Sequence, residues 1–127
     1  QETFSYRKML IDYLKSGAKW YSAPQPMLLD SLFDVDLEKP SPRNDEPVFD
    51  AANVLRLGRD LIYLVSATGN EFGGRWLQTM LGDDFRVHFL KDVYYGSHID
   101  STFVALRPGL VLCNQARINV VTLPEKL

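Results

Sequence analysis

The 127 residues carry 46% hydrophobic and 12% aromatic side chains, enough for a packed core and too many for a disordered chain. A formal net charge of -2 argues against the basic surface of nucleic-acid-binding and membrane-surface proteins. The single cysteine, Cys113, excludes an internal disulfide, and two histidines without clustered ligand spacing argue against a metal site. No apolar run approaches the roughly 20 residues that cross a bilayer. We expect a cytoplasmic α/β chain with no cofactor, metal, nucleic-acid or membrane partner.

The first 47 residues predict a helix, a short strand and a long loop. Apolar residues recur at i, i+3, i+4 and i+7 up to about Lys15, which is typical of one helix face, and Gly17 is placed to end that helix. We expect residues 18–22 to form a short strand and residues 27–33 a further helical turn. Residues 34–47 contain three prolines and charges of both signs, which indicates a surface loop that is either functional or mobile.

The next part of the chain predicts the order strand, strand, helix and strand. Residues 54–57 and 61–65 predict two strands around a glycine-containing turn, and the second is apolar enough to be covered on both faces. Asn70 suits the N-cap of a helix that stops at Gly82, and residues 86–90 predict the third strand. The expected buried side of this helix carries Phe72, Trp76, Leu77, Met80 and Leu81.

The same order begins again near the end of the chain. Residues 102–106 and 110–113 predict two strands. The turn between them contains Pro108 and Gly109, which suit the two central positions of a type II turn. The chain is therefore expected to contain repeated ββαβ units, the second of them incomplete.

Residues 96–103, with the sequence Gly-Ser-His-Ile-Asp-Ser-Thr-Phe, place a histidine and a carboxylate two positions apart. If residues 97–106 are extended, His98, Asp100 and Thr102 share one side, because side chains alternate along a strand. An imidazole beside a carboxylate on a rigid strand is a workable acid–base pair. Taken alone, this spacing is more typical of a solvated or hydrogen-bonded structural pair.

Four other residues are candidates for chemistry, and each has a structural alternative. Asp50 lies among apolar residues before a strand, which indicates either hydrogen-bonded structure, favoured on this pattern alone, or a tuned carboxylate. Arg117 follows a loop where a guanidinium can clamp a carboxylate, although a solvent-exposed arginine is the simpler interpretation. His88 is expected to be a core or edge histidine, and Cys113 a small buried hydrophobe.

Five blocks of sequence follow one another with spacing that is typical of a single family. They are residues 17–26 (Gly-Ala-Lys-Trp, then Ala-Pro-Gln-Pro), 46–53 (Glu-Pro-Val-Phe-Asp-Ala-Ala-Asn), 57–60 (Leu-Gly-Arg-Asp), 96–103 and 107–114 (Arg-Pro-Gly-Leu-Val-Leu-Cys-Asn). Together they resemble the amidinotransferases, which move an amidino group from arginine to an amine and include the glycine and inosamine-phosphate enzymes. The five blocks in order are far more specific than any one of them.

The resemblance implies a partial α/β propeller of the pentein type, with its site along a pseudo-fivefold axis. In that family a cysteine attacks the guanidinium carbon of arginine, and a histidine acts as general acid and base. By motif, His98 matches that histidine and Asp50 the carboxylate that orients it. Asp100 matches the carboxylate that holds the substrate guanidinium, and Arg117 the arginine that grips its α-carboxylate. The implied ligand is L-arginine or another guanidino compound.

The resemblance also implies that the family's nucleophile is missing, because Cys113 does not match its position and the family's chains are about three times as long. We therefore expect an amidinotransferase-like central fragment without full activity on its own. One alternative is that an oligomer assembles a working site with Cys113 or a partner's cysteine. Another is a non-catalytic oligomeric or protein-interaction module derived from an amidinotransferase.

An incomplete propeller is expected to expose apolar faces and strand edges that neighbouring modules would cover. We therefore expect a homodimer or a higher homo-oligomer. The single domain, residues 1–127, divides into part of one module, a ββαβ module with the active-site loop, and the start of the next module: residues 1–47, 48–101 and 102–127.

Overall fold

A three-stranded sheet with a helix on one face organises the computed structural model, which describes residues 6–23 and 25–118. The strands are β1 (Val54–Leu57), β2 (Asp60–Leu64) and β3 (Arg86–Leu90), in the order β1-β2-β3. β1 pairs with β2 in antiparallel fashion around Gly58, whose φ of 65° suits the tight turn, and β2 pairs with β3 in parallel. The predicted order strand, strand, helix and strand is confirmed.

The core lies on the sheet face that turns away from this helix. Ile62 and Leu64 of β2 and Leu90 of β3 are fully buried there, each contributing roughly 1.5–3 kcal/mol by leaving water. They pack against the later part of the chain through Ile99, Phe103 and Ile118. The core therefore holds the segment that contains the candidate residues against the sheet.

The helix between β2 and β3 approaches the sheet through glycine. Asn70 caps it as predicted, accepting a 2.8 Å hydrogen bond from the amide of Gly73. The expected buried side is wrong in part, because Phe72 and Met80 are 39% and 40% exposed while the buried residues are Gly73 and Gly74. A Cβ atom on Gly73 would overlap the carbonyl oxygen of Val48, so the absence of a side chain permits the close approach.

The α-helices of the described residues, numbered in chain order, are α1 (Arg7–Lys15) and α2 (Glu71–Leu81). The predicted end of α1 is confirmed, with Gly17 at a φ of 89° after it. Among the described residues, neither helix is long and apolar enough to cross a membrane.

Two predictions about the early segment need correction. Residues 18–22 are not a strand: Trp20 and Tyr21 are 50% and 65% exposed, and no strand in the described part of the chain lies beside them to complete the backbone hydrogen bonds. Residues 27–33 form a helical turn only over Asp30–Phe33, as a short 3₁₀ helix.

The hairpin that follows the sheet contains β4 (Phe103–Arg107) and β5 (Leu110–Cys113), paired in antiparallel fashion as a separate two-stranded sheet. Gly109 has a φ of 76° in its turn, as the predicted type II turn requires. Phe103 faces the core, whereas the side chains of Val104 and Leu106 are exposed. The hairpin therefore packs on the core with one face only.

Asp60 binds two basic side chains at the edge of the sheet. Nε2 of His88 lies 2.8 Å and Nε of Arg86 lies 3.0 Å from Oδ1 of Asp60. The hydrogen bond to His88, followed by the charge of Arg86, lowers the pKa of the Asp60 carboxyl, although partial desolvation opposes the shift. His88 is half-buried in the edge strand β3, which agrees with the expectation of a core or edge histidine.

Glu71, at the start of α2, is the second carboxylate with a lowered pKa. Lys91 donates a 2.6 Å hydrogen bond to Glu71, which is the main cause of the lowered pKa, and Arg75 adds to it from the next helical turn. Burial acts in the opposite direction. Glu71 thereby links the first turn of α2 to the residue that follows β3.

We expect Gly73→Ala to lower the free energy of unfolding by about 2 kcal/mol. The overlap with the Val48 backbone outweighs the roughly 1 kcal/mol by which alanine is favoured over glycine in a helix. Urea unfolding measures the change. Thr79→Ala, on the exposed side of the same helix, is the matched control and should stay within about 0.5 kcal/mol of the parent. A Gly73→Ala variant as stable as the control would contradict the close packing.

Replacing Asp60 by Asn and Glu71 by Gln should make stability less sensitive to acid. Both carboxyls have a lower pKa when folded, so each stabilises the protein above its unfolded pKa and loses that effect as the pH falls through its folded pKa. The affected range therefore lies below the ordinary values of 4.5 and 3.8. Urea unfolding at a series of pH values should show a flatter acid limb in the double variant. An acid limb as steep as the parent's would contradict this prediction.

Candidate active site at the His98 loop

The loop that contains His98 is a turn, which corrects one prediction. The amides of Thr102 and Phe103 both donate 2.8 Å hydrogen bonds to the carbonyl of Ile99, so residues 97–106 are extended only from the start of β4. The alternation expected of a strand does not apply before Phe103, because hydrogen bonds within the turn replace those of a sheet.

The turn separates the three side chains that an extended segment would align. Thr102 is 2% exposed, Asp100 is exposed, and His98 is half-buried. Within residues 6–23 and 25–118, Asp100 takes part in no ion pair. The residue pattern alone therefore chose the wrong carboxylate as the neighbour of His98.

The carboxylate that faces His98 is Asp50. Nε2 of His98 lies 3.5 Å from Oδ2 of Asp50, which is an ion-pair distance when the imidazole is protonated and long for a hydrogen bond. The two side chains are 35% and 51% exposed, so water reaches the pair. An imidazole and a carboxylate in this arrangement can exchange a proton with a ligand that enters from solvent.

Asp50 both shapes its own turn and presents an oxygen to the histidine. Its Oδ1 accepts a 2.9 Å hydrogen bond from the amide of Ala52, and its own amide donates to Oδ1 of Asn53. This reciprocal cap begins the short 3₁₀ helix Ala51–Asn53. The two interpretations offered for Asp50 are therefore compatible, since one oxygen is hydrogen-bonded structure and the other faces His98.

The segment before Asp50 is held by the buried side chain of Asn70. Its amide group donates to the carbonyls of Arg43 and Glu46 at 2.7 and 2.8 Å, and its oxygen accepts from the amide of Val48 at 3.1 Å. Asn70 is also the cap of α2. The start of the helix thereby positions the end of the 34–47 loop.

The two turns of the site contact each other through the backbone and through buried side chains. The amide of Ile99 donates a 3.0 Å hydrogen bond to the carbonyl of Ala52. The carbonyl of Ser97 accepts hydrogen bonds from Asn53, Ser66 and Thr68. These three residues carry little signal in the sequence, apart from the two hydroxyl residues, Ser66 and Thr68, shortly after the apolar strand β2.

Arg117 is half-buried, which corrects the simpler interpretation of a solvent-exposed side chain. Its Nη1 donates to Oγ of Ser101 at 2.7 Å, and its guanidinium carbon lies 4.1 Å from the ring centroid of Tyr94. Oγ of Ser101 in turn donates a 3.0 Å hydrogen bond to the carbonyl of His98. Arg117 is therefore held beside the His98 loop, where its guanidinium is suited to bind an anion.

The start of the His98 loop is tied to the long 34–47 loop. Asp92 accepts hydrogen bonds from Tyr95 and from Lys39, the latter at 3.0 Å. The bond from Tyr95, followed by that from Lys39, lowers the pKa of the Asp92 carboxyl, while desolvation and the bond to Asp92 raise the pKa of Tyr95. The long loop thus has a defined contact next to the site.

Cys113 is the last residue of β5 and does not belong to the His98–Asp50 pair. It is half-buried, pairs with Phe103 in the hairpin register and packs against the core cluster. This placement agrees with a small hydrophobic role. Among the described residues, no three histidine, cysteine, aspartate or glutamate side chains are grouped to hold a metal ion.

No protein-family model matches this chain. The chain is 50% identical over 127 residues to inosamine-phosphate amidinotransferase 1 of Streptomyces glaucescens, a match that covers 99% of this chain and 36% of that protein. It is 43% identical over 126 residues to the L-arginine:L-lysine amidinotransferase of Pseudomonas savastanoi pv. phaseolicola, covering 92% of this chain and 35% of that one.

The solved structure of an inosamine-phosphate amidinotransferase from Streptomyces griseus superimposes with a TM-score of 0.89 at 48% identity, covering 97% of this chain and 36% of that structure. The chain thus spans little more than a third of the length of the relatives it matches. The predicted resemblance is confirmed: this chain is a homologue of the amidinotransferases that corresponds to about 36% of their length.

Proposed function

We propose that this chain carries part of an amidinotransferase site and binds L-arginine or another guanidino compound. The observation that carries the proposal is the pairing of His98 with Asp50 at 3.5 Å, on two turns that share a backbone hydrogen bond. One relative, the L-arginine:L-lysine amidinotransferase, has L-arginine in its name, which supports arginine as the ligand. The single cysteine favours a reducing, cytoplasmic compartment.

Each candidate residue has a role that its chemistry suits. His98 is the general acid and base, and Asp50 orients the imidazole and stabilises its protonated form. Asp100, an exposed carboxylate on the same turn, binds the planar guanidinium of the ligand. Arg117, held against Tyr94 and Ser101, binds the α-carboxylate.

Amidino transfer also needs a nucleophile that attacks the guanidinium carbon, and here the chain departs from the family pattern. Its one cysteine, Cys113, packs against the core and does not match the family's nucleophile by motif. We therefore infer that the chain binds the guanidino compound without full transfer activity. In the alternative, where an oligomer recruits Cys113 or a partner's cysteine, Cys113→Ala would abolish turnover.

The wider fold we infer is one part of a five-bladed α/β propeller. The unit β1, β2, α2 and β3 is one ββαβ module, and the hairpin of β4 and β5 begins another. The two described sheets are open at their edges. What supports this inference is the superposition on a longer amidinotransferase together with the repeated order of elements.

Calorimetric titration with L-arginine tests the proposed site. We expect saturable binding at millimolar concentration, weakened at least about tenfold in Asp100→Asn, because a hydrogen-bonded carboxylate contributes about 1.5–3 kcal/mol to such a contact. Arg117→Ala should weaken the binding of L-arginine to a similar extent. Agmatine lacks the α-carboxylate that Arg117 is proposed to bind. Its affinity for the Arg117→Ala variant should therefore equal its affinity for the parent.

The matched control is Asp83→Asn, which removes an exposed carboxylate from the turn after α2 and makes the same change in net charge. This variant should bind L-arginine like the parent. Equal weakening in Asp83→Asn and Asp100→Asn would mean that net charge alone governs binding. No heat from the parent at millimolar L-arginine would reject the proposed ligand.

The exposed face of the hairpin favours a second candidate function, self-association. Leu106 of β4 and Leu112 of β5 are 57% and 61% exposed, and Val104, which pairs with Leu112, is also exposed on the same face. A contiguous apolar surface of this kind is typical of an interface between polypeptides. We propose that the chain forms a homodimer or higher homo-oligomer through this hairpin face.

Sedimentation velocity measures this assembly. We expect the parent to sediment as a dimer or larger, and Leu106→Lys with Leu112→Lys to sediment as a monomer, since buried unpaired charges oppose the contact. Leu37→Lys is the matched control, because Leu37 is 92% exposed and lies outside the hairpin. A monomeric parent, or an equal effect of the Leu37 substitution, would contradict assembly through the hairpin.

A further inference from the structure

A buried polar cluster lies behind His98 and is formed by Asn53, Ser66 and Thr68. Asn53 and Ser66 are 0% exposed, and both belong to segments that flank the ends of β1 and β2. All three side chains reach the carbonyl oxygen of Ser97: Oγ of Ser66 at 2.5 Å, Oγ1 of Thr68 at 3.1 Å and Nδ2 of Asn53 at 3.3 Å. We call them the Ser97 cluster.

Proton counting makes Ser66 the principal donor of this cluster. Its hydroxyl has one proton, and the 2.5 Å bond to Ser97 is its shortest contact. Asn53 also donates to Oγ of Ser66 at 2.9 Å and to the carbonyl of Leu64 at 3.1 Å, so its two protons are shared among three acceptors. Thr68 has one proton for three acceptors within reach: the carbonyl of Ser97, Oδ1 of Asn53 and, at 3.4 Å, Oγ of Ser66.

The cluster also reaches the turn that contains the opposing carboxylate. Oδ1 of Asn53 accepts a 3.1 Å hydrogen bond from the amide of Asp50. One side of the cluster therefore holds the backbone of Asp50, and the other holds the carbonyl that immediately precedes His98. Because Asn53 and Ser66 are buried, these bonds are shielded from competing water.

We propose that Ser66 is a positioning residue that holds His98 opposite Asp50 by fixing the carbonyl of Ser97. The peptide group between residues 97 and 98 is planar, so its oxygen, its nitrogen and the Cα of His98 move as one unit. Fixing the oxygen therefore restrains the backbone from which the imidazole of His98 extends. The proposal rests on the proposed acid–base role of His98 for its purpose, but the geometry it asserts is independent of any ligand.

The test compares Ser66→Ala with Thr102→Val. Thr102 is the matched control because its hydroxyl is buried, lies in the same loop and has no hydrogen-bond partner among the described residues. The chain's two histidines are observed together by imidazole ¹H–¹⁵N NMR without ligand, with His88 on β3 as the internal reference. Hydrogen exchange at the amide of Ile99, which donates to Ala52, reports on the junction of the two turns.

Ser66→Ala should shift the imidazole signals of His98, leave those of His88 unchanged, and speed exchange at Ile99 about fivefold, the loss expected for one hydrogen bond. Thr102→Val should change neither. Unmoved His98 signals in Ser66→Ala, or equal movement at His88, would overturn the proposal, since a general loss of stability affects both. Should Ser66→Ala not fold, Ser66→Cys, whose thiol is only a weak donor, is read in the same way and decides the question.

Arginine titration of the parent is a separate experiment with a separate outcome. An absence of arginine binding together with a selective His98 shift would reject the proposed ligand and retain Ser66 as the positioning residue. Arginine binding together with unmoved His98 signals would retain the proposed ligand and reject Ser66 as the positioning residue.

Discussion

The candidate site depends on the hydrogen bond between the amide of Ile99 and the carbonyl of Ala52, because it joins two turns that come from distant parts of the chain. One turn contains Asp50 and the other contains His98. Neither turn belongs to a sheet, so no ladder of backbone hydrogen bonds fixes their separation. The 3.5 Å distance between their side chains follows from this contact and from the buried donors on Ser97.

The helix packing serves the same site from the other side. Gly73 allows α2 to lie against the backbone of Val48. Asn70, at the cap of α2, forms hydrogen bonds with the backbone of Arg43 and Val48, in the segment that precedes Asp50. A side chain at Gly73 would push the two apart. The glycines of α2 thus affect both the stability of the module and the path of the segment that delivers the carboxylate.

How much was predictable differs between the fold and the site. Local signals located the strands of both sheets, the end of α1, the start of α2 and the hairpin turn. Gly17, Asn70 and Gly109 act there through hydrogen bonds or dihedral angles within a few residues. The buried side of α2 was predicted wrongly in part, because the spacing of apolar side chains does not reveal that a helix packs through its glycines. The strand expected at residues 18–22 failed because strand formation requires a neighbour, which a local pattern does not reveal.

The order of elements, the turn residues and, through five blocks together, the relationship to the amidinotransferases can all be read from the amino-acid sequence. Residue spacing alone paired His98 with Asp100, whereas the family resemblance indicated Asp50. Only the tertiary structure decided that Asp50 is the carboxylate in contact, and that Ser66 lies behind the histidine. The physical reason is that such contacts arise where turns are anchored by buried hydrogen bonds across the fold, and no periodicity along the chain encodes that anchoring.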